Sequence, residues 1–163
     1  DRALLQTFLP MHAAVFDVMT RTPAIAAVDG SALLSEMIAA VNGTHASAEV
    51  NRARAVFFVG HDTNIAAVGS LLDLDWQLNG YARREIPPGS ALVLGVWEMN
   101  GQKEIRAEMM AQSLDALRID SDQPTMLVRQ SLILPGCGKT VCSLTQFTAW
   151  AASRLRPDCV PDS

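Results

Sequence analysis

Residues 53–60, ARAVFFVG, form a continuous apolar, β-branched and aromatic run too short for a full helix. Such a run predicts a strand covered on both faces, as at the centre of a parallel sheet. Gly60 ends it, His61 and Asp62 follow, and a helical pattern, NIAAVGSLL, begins at once. A buried strand that feeds directly into a helix points to the α/β class, with a mixed sheet flanked by helices.

The other elements fit around that unit. Pro10 suits the first turn of a helix through MHAAVFDVMT, and RTP stops it, because the residue before a proline avoids helical geometry. A second helix is expected from Ser31 as N-cap to Gly43 as terminator, with Leu33, Leu34, Met37, Ile38 and Val41 as its apolar face. The stretch DWQLNGYARREIPPGS reads as a loop leading to a strand, ALVLGVWEM. Asn100-Gly101 supplies a hairpin turn into EIRAEMMAQ. A helical turn from Ser113, an extended stretch around TMLVRQSLIL, a cysteine loop and a last helix capped by Ser143 complete the order. Residues 1–50 thus form a helical portion and residues 51–163 an α/β portion.

Bulk properties exclude several function classes. The chain has 163 residues and 49% hydrophobic content, enough for one domain with a sizeable core. A net charge of -4 with no stripe of Lys or Arg lacks the footprint of a nucleic-acid binder. Polar residues, Gly or Pro interrupt every apolar run before the roughly 18 residues a membrane span needs, so no membrane partner is expected. The first residues carry neither a basic leader nor a cleavage site of small residues, so the chain is expected to start as a mature protein or an internal piece of one. Cys137 and Cys142 lie close together and Cys159 stands apart. Without a second pair at zinc spacing, a disulfide explains the close pair better than a metal, and points to an oxidising compartment. The third cysteine stays unpaired or finds its partner outside this chain.

His61 and Asp62 fall at the carboxyl end of the expected strand, where α/β sheets bind ligands and the next helix offers backbone N–H groups. An anion there would meet the imidazole and the N–H groups near Thr63 and Asn64. Asp62 would repel it unless protonated, which suits a proton donor. The same pair could serve only as a helix cap through Asp62 or Thr63. Metal binding needs further ligands, but His12 and His45 are the only other histidines and show no ligand spacing. GCGKT ends like a phosphate-binding loop, yet Ile133 occupies the position of the required first glycine. Asn42-Gly43-Thr44 is a glycosylation sequon with meaning only in a eukaryotic secretory pathway.

The longer stretch GHDTNIAAVGSLLDLDW resembles the HD-containing motif of the histidine acid phosphatases, in their bacterial periplasmic phytase and glucose-1-phosphatase branch. WQLNGYARREIPPGSALVL is similar to that branch's loop and strand, CSLTQFTAWAASRLRPDC to its C-terminal pattern, and MHAAVF with RTP to the helix before the HD strand. The resemblance implies a phosphoglycerate-mutase-like fold, of which this chain is the C-terminal part. It also implies a nucleophilic histidine in an R-H-G-x-R-x-P motif, and no such stretch occurs in these 163 residues. The expected partner is therefore an N-terminal part of the same enzyme, to which Cys159 would bond, leaving Cys137 and Cys142 as a local pair.

The resemblance further implies hydrolysis of a phosphomonoester, phytate or a sugar phosphate, through a phosphohistidine and without metal or cofactor. His61 would hydrogen-bond the phosphate and Asp62 would protonate the leaving oxygen, in a periplasmic or secreted enzyme. His12 and Phe16 match positions that line the substrate pocket in phytases of the branch, and they fit a helix-face histidine and a core phenylalanine equally. Where the phytase pattern has a further basic residue after RTP, this chain has Asp29, and Gly95 and Val96 precede Trp97 in place of Glu and Arg. A non-catalytic phosphate-binding homologue, a glucose-1-phosphatase-type enzyme and a phosphoglycerate-mutase-type transferase are the competing readings.

Overall fold

The computed structural model describes residues 2–119 and 126–160. Two helices open the chain, α1 (Arg2–Met19) and α2 (Pro23–Asn42), followed by a short α3 (Ala48–Arg52) and α4 (Asp62–Leu71). A loop then leads to β1 (Ala91–Met99) and β2 (Gln102–Gln112). After α5 (Leu114–Ile119) come β3 (Leu127–Leu132), β4 (Cys142–Ser143) and α6 (Leu144–Ala152).

The helix boundaries show which local signals won. Pro10 lies inside α1 rather than at its start. The preceding RALLQTF has high helix propensity, so the helix runs through the proline at the cost of one backbone hydrogen bond. Ser31 is an interior residue of α2, not its N-cap, because Pro23 at the first turn already starts the helix. Its hydroxyl donates to the Ala27 carbonyl at 2.6 Å and accepts the Arg156 N–H at 2.9 Å. Gly43 ends α2 as expected, with φ +70°, and Thr44 N–H closes the turn on the Ala39 carbonyl. By length and composition α2 could cross a membrane, which the run-by-run reading of the sequence did not allow. A core helix passes the same test, and α2 buries Ala26, Gly30, Leu34 and Ile38 inside this chain.

The sheet has the order β1-β2-β3, with β4 also paired to β2, and every pairing among the described residues is antiparallel. Asn100 and Gly101, at φ +53° and +75°, make the tight turn between β1 and β2. Strand β2 alternates strictly, burying Ile105, Ala107, Met109 and Ala111 on one face. That face, with Leu132, Phe147 and Leu144, joins Leu34, Val68, Leu72 and Trp76 in one core. Ser143 caps α6 by accepting the Gln146 N–H, and Ser113 caps α5 by accepting the Ala116 N–H. The disulfide joins Cys137 and Cys142.

Residues 53–60 depart from the expected covered strand. They form no sheet pairing in the described structure, and Phe57 and Val59 are 86% and 97% exposed. A central parallel strand takes its hydrogen bonds and its cover from neighbours remote in sequence. Among the described residues no strand of the sheet pairs with this segment, although β1 and β3 each keep an open edge.

Helices α2 and α4 pack closely enough that a Cβ on Gly30 would lie 2.9 Å from Leu71 Cδ1 and 3.2 Å from the Ala67 carbonyl carbon. Leu34, with no exposed surface, fills the space beside them. Leu34→Ala is expected to lower the unfolding free energy of the protein by about 2–5 kcal/mol, and Leu34→Met by less than about 1.5 kcal/mol. Urea unfolding of the two variants checks both figures.

Candidate active site

His61 is the N-cap of α4, in extended geometry at φ −108° and ψ 169°. Histidine is a weak cap, and the helix start is secured instead from inside the first turn. Asn64 Oδ1 accepts the His61 N–H at 2.8 Å, and Asn64 N–H donates to the His61 carbonyl at 3.0 Å. Asp62 Oδ1 accepts the Thr63 N–H at 2.8 Å. That leaves Asp62 Oδ2 without a protein partner among the described residues. His61, Asp62 and Thr63 are all exposed.

This geometry changes one expectation. The N–H groups of Thr63 and Asn64 are not free for an anion, because the Asp62 carboxylate and the His61 carbonyl already use them. What the helix start presents outward is the imidazole, one carboxyl oxygen and the Thr63 hydroxyl. A phosphate oxygen could accept from the imidazole, and a protonated Oδ2 could donate to a departing oxygen.

Phe16 is half-buried elsewhere, lining a cleft of about 180 Å³ with Arg21, Arg84 and Ile86. The Arg21 guanidinium, 5.5 Å from the Phe16 ring centre and 5.9 Å from that of Trp76, donates to Asp17 Oδ1 and to the Arg84 carbonyl. Ser70, near the far end of α4, donates to the Arg21 carbonyl at 2.8 Å. Ser70 is eight residues from Asp62, so about 12 Å of helix separates this contact from the His-Asp end. His12 lies one turn before Phe16 on α1, and its side chain falls outside the described residues. Cys159 is a partly buried free thiol within this chain. Among the described residues no group of three or more His, Cys, Asp or Glu converges on a metal position.

The sequence reading took Gly60 only as a strand end and Asn64 only for its backbone N–H, and missed the fit between the two. The signal was present in the spacing, since an acceptor side chain at the third helical position is half of a capping box. The loop after α4 also holds more than its composition indicates. Trp76 Nε1 donates to the Glu85 carbonyl, and the Tyr81 hydroxyl donates to the Gln112 carbonyl, tying residues 75–90 to the core. Asp75 accepts from the Nε of both Arg83 and Arg84.

The pattern of the histidine phosphatase superfamily (branch 2) matches residues 5–122. The chain belongs to that superfamily. Phytase AppA of Escherichia coli (strain K12) is 29% identical over 167 residues, a match that covers 94% of this chain and 38% of AppA. The solved structure of Klebsiella sp. ASR1 phytase superposes with a TM-score of 0.82 at 32% identity, covering 95% of this chain and 40% of that one. Hafnia alvei phytase in complex with tartrate gives 0.82 at 30% identity, covering 94% and 40%. The chain thus spans about two fifths of the length of these histidine phosphatases, and its fold is that of the superfamily.

Burial pushes the Asp75 carboxyl up, but the hydrogen bonds and charges of Arg83 and Arg84 outweigh it and hold the group below its ordinary value of 3.8. A depressed carboxyl contributes stability above its ordinary value and loses it as pH falls through the folded value. Asp75 is half exposed, so the contribution is about 1 kcal/mol or less. Thermal melts should show Asp75→Asn less stable than wild type at about pH 7, with the difference closing as pH falls below the ordinary carboxyl value of 3.8.

Proposed function

We propose that the full-length protein is an acid phosphomonoester hydrolase of the phytase type, with this chain supplying the phosphate-contacting imidazole and the proton donor. The observation that supports this most directly is the pairing of an exposed His61 with an Asp62 whose Oδ2 has no protein partner, at a helix start in a chain of the histidine phosphatase superfamily. A histidine in the N-terminal part attacks phosphorus, forming an N–P bond as the P–O bond to the alcohol breaks. Asp62 Oδ2 gives its proton to the leaving oxygen, while His61 donates to a non-bridging oxygen. Water then attacks the phosphohistidine, the N–P bond breaks, and the water's proton returns to Asp62. Thr63 would meet substrate through its hydroxyl, and His12 and Phe16 from the side of α1. No metal or other cofactor enters this scheme.

Three further features support the reading of this chain as the C-terminal portion. No R-H-G-x-R-x-P stretch occurs in it. Its relatives extend well beyond the matched length. The apolar residues Val56, Phe57, Phe58 and Val59 are exposed here and need cover from further polypeptide. The local disulfide supports a periplasmic or secreted setting. Asp29, exposed on α2 where the phytase pattern is basic, favours a less highly charged ester such as a sugar phosphate as the second reading.

General acid catalysis is worth about 10² to 10⁴ in rate and matters most for basic leaving groups. Asp62→Asn in the full-length protein should therefore slow phytate or sugar-phosphate hydrolysis by a factor in that range and spare p-nitrophenyl phosphate. His61→Ala should slow both substrates alike. Equal losses for Asp62→Asn on both substrates would remove the proton-donor role, and no hydrolysis by the wild-type protein would favour a non-catalytic homologue.

Cys159 is expected in a disulfide to a cysteine of the N-terminal part. Peptide mass mapping of the unreduced full-length protein reads the linkage directly, and a free Cys159 thiol there contradicts it.

A further inference from the structure

The His61-Asp62 pair sits on a junction whose two unusual members, Gly60 and Asn64, fit one another. The Asn64 side chain accepts the His61 N–H through Oδ1, while the backbone N–H of the same residue donates to the His61 carbonyl as any residue there would. Nothing else among the described residues bonds the His61 backbone N–H. A Cβ built on Gly60 would lie 2.6 Å from Asn64 Oδ1 and 3.1 Å from Asn64 Cγ. Gly60 does not adopt a left-handed φ, so a positive φ is not what calls for glycine here. The reason for glycine here is therefore clearance: it leaves room for the Asn64 side chain to fold back over the junction.

We propose that Asn64 is a positioning residue for His61 and Asp62, with Gly60 as the clearance that admits it. The proposal rests on the reading of His61 and Asp62 as phosphate contact and proton donor. The His61 N–H and carbonyl belong to the two peptide planes that meet at its Cα, so fixing both sets the direction of the His61 side chain and the start of the helical turn on which Asp62 sits. An alternative cap would let the first turn fray and swing the imidazole and carboxyl relative to each other. Misplacement by about 1 Å can cost on the order of 10² in rate. Asn64 is itself partly buried beneath the exposed pair, as expected of a group that acts through its neighbours.

The test uses the full-length protein and four variants, Asn64→Ala, Asn64→Asp, Gly60→Ala and Gly60→Ala/Asn64→Ala, assayed on phytate and p-nitrophenyl phosphate, with thermal melts to confirm folding at the assay temperature. Asn64→Ala should lower kcat on phytate by about 10- to 100-fold. Asn64→Asp keeps the accepting oxygen but adds a negative charge beside the phosphate, so it should restore kcat while KM rises. Gly60→Ala should reproduce the kcat loss of Asn64→Ala, and the double variant should be no worse than either single one, because both changes break the same contact. Retention of kcat within about twofold in Asn64→Ala, or losses that multiply in the double variant, overturn the proposal. His61→Ala and Asp62→Asn in the same assay separate the two levels. If they abolish phytate turnover while Asn64→Ala spares it, only the positioning role fails; if they leave turnover intact, the functional reading fails and takes this one with it.

Discussion

The close approach of α2 to α4 at Gly30 is the constraint on which the rest of the chain depends. With no side chain at that position, the two helices come together over Ala67 and Leu71, and α4 becomes an internal beam of the structure. Its C-terminal half is then tied down from three directions. Ser70 donates to the Arg21 carbonyl, Arg154 Nε donates to the Leu71 carbonyl, and Trp76 packs its ring against Gly69. The arginine at the carbonyl end also complements the negative pole of the helix. The N-terminal end of the same helix carries His61, Asp62 and Thr63 into solvent. One element is thus anchored at one end and offered at the other, the arrangement the proposed catalytic pair would need if packing rather than a loop is to fix its place.

The distribution of apolar surface follows from the same architecture. The core gathers where α2, α4 and α6 meet the buried face of β2. Away from it, α1 exposes Phe8, Met11, Val15 and Val18 at spacings of three and four residues, so that one helical stripe has no cover. Residues 56–59 add a second uncovered group and Val96, Trp97 and Met99 on the edge strand β1 a third. Apolar surface gathered in this way marks interaction sites. The proposed N-terminal part would have three places to dock, and one of them, residues 56–59, leads straight into His61.

What could be read from the sequence was what depends on neighbours along the chain. Strand β1, the Asn100-Gly101 turn and the Ser143 cap each rest on a few adjacent residues, and they stand where the reading put them. Residues 53–60 have equally strong strand composition, but a strand exists only where another chain segment bonds to it, and composition does not report that partner. Pro10 and Ser31 failed as boundaries because helix propensity on one side and Pro23 on the other outweighed single-residue signals. At the site, the HD motif was legible through resemblance. Its support went unread although Asn64 stands at capping-box spacing, because His61 is not an expected cap and the contact forms only when the first turn of α4 closes.

Charge is the last element that ties the fold to the proposed chemistry. The chain has 13 basic and 17 acidic residues, and its arginines are largely engaged within it. Arg21 pairs with Asp17, Arg83 and Arg84 with Asp75, Arg118 with Asp115, and Arg156 with Asp158. Arg106 lies over the Trp97 ring on the sheet, and Arg154 is held on the end of α4. At the start of α4 the backbone N–H groups of Thr63 and Asn64 are also in use. One imidazole cannot balance a phosphate dianion beside a carboxyl group. Under the proposed function the phosphate would therefore take most of its cationic partners from the N-terminal part, with this chain supplying the proton donor.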